Sequence, residues 1–186
     1  MENMWDNRKL INTLMDGKVV VMPTDTIYGI VGGALAPETV KRIYKIRQRS
    51  ENKPCIILIS NMEDLNKFNI TISKEQKEKL NEYKDKPTSF ILDCMEDKFI
   101  YLHKNTNTLA FRLPNNINLQ NMLKITGPLI APSANTEGNP PAKNIKEAQE
   151  YFDNKVDLYI DGGEMPVESS RIIRLSLDGS VSTIRE

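Results

Sequence analysis

Lys18–Met22 is the segment that most narrows the fold. Val19, Val20 and Val21 are uniformly apolar and β-branched, and the run is too short for a helix. A strand apolar on both sides is buried on both sides, so it belongs in the middle of a sheet with cover above and below. Pro23 ends it, because proline has no N–H to give to a ladder. A second run of this kind, Cys55–Ser60, opens after Pro54, and Pro128–Pro132 is a third. Between the first two, Pro37–Gln48 has helical spacing. Pro37 suits a first turn, Glu38 favours the positive helix end, and Val40, Ile43 and Tyr44 share a face.

The rest of the chain alternates in the same way. Met4–Met15, Asn61–Phe68, Ser73–Tyr83, Leu119–Leu123 and Asn144–Phe152 read as helices, with Gly17 stopping the first and a capping box at Ser73–Gln76. The second and third of these are expected on the surface. Thr88–Cys94, Thr108–Leu113, Leu158–Ile160, Arg171–Leu175 and Val181–Ile184 read as strands. Strands and helices alternate early and strands crowd together late. No repeat, linker or low-complexity tract divides the chain. The expectation is one α/β domain over residues 1–186, a twisted mixed sheet flanked by helices.

Composition excludes several classes. The 25 basic and 25 acidic side chains balance, which argues against a general nucleic-acid binder but leaves room for a local basic groove. No run reaches the roughly 18 apolar residues of a membrane span, and the polar N-terminus is unlike a signal peptide, so the expected location is the cytoplasm. Cys55 and Cys94 lie in apolar runs and read as buried thiols, a disulfide being the lesser alternative. His103 has no partner at a useful spacing and is expected at the surface. Dinucleotide, Walker, zinc-protease, CxxC and nucleophile-elbow motifs are all absent, so no protein-held metal is expected.

Three constellations remain. Pro23–Gly29 (PTDTIYG) places two threonines around an acid at a strand end, where open α/β sheets bind ligands. An ordinary turn held by hydroxyl-to-backbone bonds would read alike. Lys45, Arg47, Arg49 and Lys53 put four cations within nine residues, suited to phosphate oxygens or simply to the negative end of a helix. Ser133-Ala134-Asn135 follows an apolar strand and can offer side chains and amides to a phosphate or base, though these are also common turn residues.

Together and in this order the three resemble the Sua5/YrdC/YciO family. The matching stretches are PTDTIYGI (Pro23–Ile30), RQRSENKP (Arg47–Pro54) and APSANTEG (Ala131–Gly138). LAFRLP (Leu109–Pro114), DLYIDGG (Asp157–Gly163), SSRIIRL (Ser169–Leu175) and the closing TIRE with Arg185 extend the likeness over almost the whole chain. The resemblance implies a YrdC-like fold with a concave, positively charged groove, in the short form without the added C-terminal domain of Sua5 proteins. It implies an L-threonylcarbamoyladenylate synthase, a nucleotidyltransferase that joins L-threonine, bicarbonate and ATP and releases pyrophosphate. The product serves N6-threonylcarbamoyladenosine formation at tRNA position 37.

On that reading Thr24, Thr26 and Tyr28 take threonine. Arg47, Arg49 and Lys53 hold triphosphate and carbamate oxygens. Ser133 and Asn135 fix the nucleotide, and Arg112, Ser170 and Arg185 complete the far wall. Magnesium comes with ATP, carried by phosphates and water. The adenylate passes to the tRNA threonylcarbamoyltransferase complex, with tRNA itself a further contact.

The chain departs from the family pattern at three points. Arg47 replaces the lysine of KxR, Lys86 and Ser89 stand in the PGPxT segment, and Ser170–Arg174 carries positive charge where an acid is usual. Two rivals are a YciO-like paralogue and an RNA-binding module of the same fold. Threonine-dependent pyrophosphate release separates the first from a synthase, and stabilisation by ATP with threonine separates the second.

Overall fold

The computed structural model describes residues 3–50, 54–83, 86–165 and 168–186. Nine strands occur among these residues: β1 (Val20–Pro23), β2 (Tyr28–Gly33), β3 (Ile56–Leu58), β4 (Thr88–Asp93), β5 (Thr108–Arg112), β6 (Leu129–Ile130), β7 (Leu158–Tyr159), β8 (Arg171–Leu175) and β9 (Val181–Arg185). They form one sheet in the order β7-β1-β2-β6-β3-β5-β4-β8-β9. Pairs β1/β7, β3/β5 and β4/β8 are parallel and the other five are antiparallel, so the sheet is mixed, as expected.

The helices are α1 (Arg8–Met15), α2 (Pro37–Arg47), α3 (Lys74–Glu82), α4 (Ile100–His103), α5 (Ile117–Thr126) and α6 (Ile145–Phe152). Leu10 and Leu14 of α1 and Leu119, Met122 and Leu123 of α5 cover one sheet face with Val20 and Met22. Val40, Ile43 and Tyr44 of α2 and Ala148 and Phe152 of α6 cover the other with Val19 and Val21. Alternate residues of one short run thus enter opposite cores, which is why Val19–Met22 has no polar face.

Local chemistry sets the helix ends. Met4–Met15 divides into a 3-10 turn at Met4–Asp6 and α1, because the Asn7 side chain accepts from the Leu10 amide (3.2 Å) and starts a new helix. The Ser73–Gln76 capping box is present, with both reciprocal bonds at 3.0 Å. Met62–Phe68 is a 3-10 helix that buries Leu65 and Phe68.

Two expectations are corrected. Tyr28–Gly33 has no counterpart among the strands read from sequence, yet β2 pairs with β1 on one side and β6 on the other. Glycine fills half of its positions and weakens the strand signal. At Gly32 the reason is space: an added Cβ would lie 2.5 Å from Thr39 Cγ2, so the glycine lets α2 press on the sheet. His103 is 2% exposed, at the end of the one-turn helix α4, with its Nε2 3.4 Å from the Glu96 carbonyl oxygen. Four residues are too few to show periodicity among polar neighbours. Cys55 and Cys94 are both free and buried.

Candidate active site

The turn joining β1 to β2 organises the first wall. Thr24 Oγ1 donates to the Ile27 carbonyl (2.7 Å) and accepts from the amides of Thr26 and Ile27 (3.3 Å each). Its hydroxyl also lies 3.2 Å from that of Thr26. The loop after β6 is stitched to the same hairpin. The Ile30 amide donates to the Pro132 carbonyl (3.0 Å), the Ala134 amide donates to the Tyr28 carbonyl (2.9 Å), and Gly29 bridges Ser133. Backbone pairing therefore brings the first and third constellations together.

A cavity of about 70 Å³ lies between them. Thr24 and Thr26 line it from the turn, Arg112 from the end of β5, Ser133 from the β6 loop, and Ser170 and Arg185 from the β8–β9 side. Gly29 lines it too, and a Cβ there would stand 3.2 Å from Thr24 Cγ2. Thr26 and Ser169 are shared with an adjoining cavity of about 790 Å³. Its walls carry both signs: Asp25, Glu168 and Glu186 beside Lys86 and Arg171.

Arg112 is buried beside Asp25, with Nη2 2.9 Å from Oδ1 and each side chain 4% exposed. Beyond that ion pair, Asp25 Oδ2 and Arg112 Nε have no hydrogen-bond partner among the described residues. Burial lowers the Arg112 pKa against the opposing pull of Asp25. Ser170 shares a hydroxyl contact with Ser89 (2.9 Å), and its carbonyl accepts from Arg185 Nε (3.0 Å) and Nη2 (2.6 Å). Burial also lowers the Arg185 pKa.

Arg47 stands behind this pocket at 2% exposure. Its Nε donates to the Asn135 carbonyl (3.0 Å), and Nη2 donates to Asn135 Oδ1 (2.8 Å) and Ser133 Oγ (3.3 Å). Ser133 Oγ donates to Asn135 Oδ1 (2.6 Å), and Asn135 Nδ2 donates to the carbonyls of Thr136 (3.0 Å) and Asn139 (2.7 Å). The Asn135 carboxamide thus has both donors and both acceptor sites engaged. Burial, then the nearby Arg49 charge, lowers the Arg47 pKa to about 10.

Six of the site residues read from sequence meet in the small cavity: Thr24, Thr26, Arg112, Ser133, Ser170 and Arg185. Arg47 and Asn135 lie behind Ser133. Tyr28 faces the 161–163 loop, donating to the Gly163 carbonyl (2.9 Å) and accepting from the Gly162 amide (2.8 Å), and burial raises its pKa. Half-buried Arg49 donates to the Pro54 carbonyl (3.1 Å). Lys53 lies outside the described residues. The partner of Arg112, Asp25, reads from sequence only as an acid between two threonines. A lone arginine in the apolar stretch LAFRL was the signal that a buried counter-charge was needed.

The Sua5/YciO/YrdC family model, described as "Telomere recombination", matches residues 12–186. A threonylcarbamoyl-AMP synthase of Pyrococcus abyssi is 30% identical over 90% of this chain and 50% of its own length. One from Pseudomonas fluorescens is 22% identical over 97% and 98%. The chain spans half the Pyrococcus relative and 66% of one from Bos taurus, which is 26% identical over 96% of this chain. The structure of P. abyssi Sua5 complexed with L-threonine superposes with a TM-score of 0.82 at 30% identity, covering 93% of this chain and 52% of that one. Escherichia coli YciO shares the fold, with a TM-score of 0.82 at 21% identity over 96% and 87%. With its motifs, its sheet and nearly its whole length accounted for in this way, the chain belongs to the Sua5/YciO/YrdC family.

Proposed function

We propose that the protein is an L-threonylcarbamoyl-AMP synthase acting on L-threonine, bicarbonate and ATP. The observation that carries this reading is the small cavity lined by Thr24, Thr26, Ser133 and Ser170 together with Arg112 and Arg185. It opens beside a space large enough for a nucleotide. Relatives that carry the synthase name support it.

The chemistry asks for placement and charge compensation. The threonine amine takes up bicarbonate, losing water, to give a carbamate. A carbamate oxygen then bonds to the α-phosphorus as the bond to the bridging oxygen breaks, and pyrophosphate leaves with that electron pair. Two anions must approach, so fixed cations lower the barrier and no covalent nucleophile is required. In this reading Thr24 and Thr26 hold the amino acid, with Tyr28 bracing the hairpin behind them. Arg112 and Arg185 face the developing charge. Ser133 and Ser170 orient the nucleotide, and Arg49 and Lys53 meet the outer phosphates. Arg47 and Asn135 fix the loop that presents Ser133.

Among the described residues no three His, Cys, Asp or Glu side chains converge as metal ligands. Magnesium would enter on the ATP phosphates, supplying charge neutralisation there. The adenylate would pass to a tRNA threonylcarbamoyltransferase in the cytoplasm. No helix among the described residues is long and apolar enough to cross a membrane.

The test is incubation with magnesium, ATP, bicarbonate and isotopically labelled threonine, followed by mass detection. The labelled adenylate should form in step with pyrophosphate. ATP turnover indifferent to threonine would point instead to a paralogue with another substrate.

A further inference from the structure

A further cavity, of about 340 Å³, opens on the sheet face away from the candidate active site. Phe90 of β4 pairs with Phe111 of β5, on the face that α2 covers, and it lines this cavity together with Leu80 of α3 and Leu113. The adjoining Ser89 points to the opposite face, where its hydroxyl meets that of Ser170 in the small cavity. One strand thus separates the two spaces, and the lining is shared with the larger cavity only at Lys86 and Pro87.

The floor is apolar and the rim is cationic. Leu80 is buried, and Phe90 and Leu113 are half-buried against the core. Tyr83 adds a second ring, held by the Arg171 guanidinium 4.8 Å from its centre. Lys77 and Lys86 line the cavity, and no acid does so among the described residues. Helix α3 is rich in glutamate, and its Lys74 and Lys79 face Glu78 (3.9 Å) and Glu82 (2.7 Å). The Lys77 and Lys86 side chains, by contrast, have no ion pair or hydrogen bond among the described residues.

We propose that this cavity is a binding site for a small aromatic carboxylate, its ring against Phe90, Tyr83, Leu80 and Leu113 and its carboxylate at Lys77 and Lys86. An apolar lining with a few polar groups at one side is the make-up of a small-molecule pocket, and the volume suits one. The aromatic walls favour a ring, and two unpaired cations with no acid beside them favour an anionic head and set which end faces out. Binding here asks nothing of the candidate active site, so the proposal stands apart from the synthase reading.

NMR titration of the whole protein with 2-naphthoate and with its neutral counterpart 2-naphthamide tests the site. Naphthoate should shift the amide resonances of Asn81 and Asn115, which line the cavity. It should bind about three- to tenfold more tightly than the amide, the worth of lysine contacts at a solvated rim. Lys77→Glu should bring the two ligands within about twofold of each other. Lys74→Glu, on the same helix but outside the lining, should keep the wild-type preference; both lysines are exposed, so neither exchange touches the core. Equal binding of the two ligands by the wild type would overturn the proposal, as would no binding of naphthoate, or shifts confined to the surroundings of Thr24 and Ser133. These comparisons need no variant to fold. A preference that survives Lys77→Glu, or that Lys74→Glu removes equally, would overturn it as well.

Discussion

Two buried arginines, Arg47 and Arg112, hold different partners. Arg47 gives three hydrogen bonds to Ser133 and Asn135, and Asn135 spends its whole carboxamide on the same loop. Arg112 has one ion pair, one long contact of 3.4 Å to Thr24 Oγ1, and a buried Nε without a hydrogen-bond partner among the described residues, as Arg47 has a buried Nη1. The difference lies in what each cation holds: Arg47 fixes a loop, and Arg112 meets an acid beside a cavity. The lesson is that a cationic side chain in a site motif does not of itself meet the anion. Arg47 shapes the loop that carries Ser133, while Arg112 lines the small cavity.

Arginine-to-lysine exchanges break this comparison most sharply, since they keep charge and remove the planar fork. Arg112→Lys should lower threonine-dependent pyrophosphate release by about a hundredfold or more, on the order of one lost transition-state donor. Its unfolding free energy should move by about 1 kcal/mol or less. Arg47→Lys should show the converse, a stability loss of about 2 kcal/mol in urea titration, with turnover per folded molecule within about tenfold of wild type. Equal turnover losses at equal stability would erase the distinction between the two arginines.

Gly29→Ala probes the open region without touching charge. Its Cβ would press on Thr24 Cγ2 at 3.2 Å and on Val31 Cγ1 at 3.3 Å. Steady-state kinetics should show threonine use weakened about tenfold, with a cost near 1 kcal/mol in stability from overpacking. Normal threonine use would remove the cavity from the account.

The smallest effect belongs to a control remote from both regions. Burial would raise the Asp157 carboxyl, but the Arg42 guanidinium and the Val19 amide outweigh it and hold the group below its ordinary value of 3.8. Such a carboxylate adds stability above the ordinary value and loses it as pH falls through the folded-state value. Asp157→Asn should therefore be less stable than wild type at neutral pH, and the gap should close as pH drops below 3.8. Acid titration of the unfolding midpoint reads this, and activity at neutral pH should be unchanged.

Much of this was open to reading from residues because burial writes itself into short patterns. Val19–Met22 enters both cores and shows it, and Ser73–Gln76 carries its cap in four letters. β2 stayed hidden because it trades side chains for close approach to α2. His103 stayed hidden because one helical turn has no period. Thr24, Thr26 and Ser133 are legible as loops that end strands, yet only backbone pairing between the β2 hairpin and the loop after β6, the Gly29–Ser133 bridge included, makes them neighbours. Asp25 and Arg112 lie in different motifs, and local spacing says nothing of a pair formed across the sheet. The engaged state of Asn135 was equally out of reach, since its partners depend on how residues 133–139 turn back on themselves.

The central claim is that the small cavity beside Arg112 receives the amino acid. A crystal structure of the protein grown with L-threonine tests it most directly. The account predicts threonine between Thr24, Thr26 and Arg112, with the Arg47–Asn135 bonds undisturbed. Threonine held elsewhere, or bound through Arg47 with the Ser133–Asn135 loop opened, would contradict it.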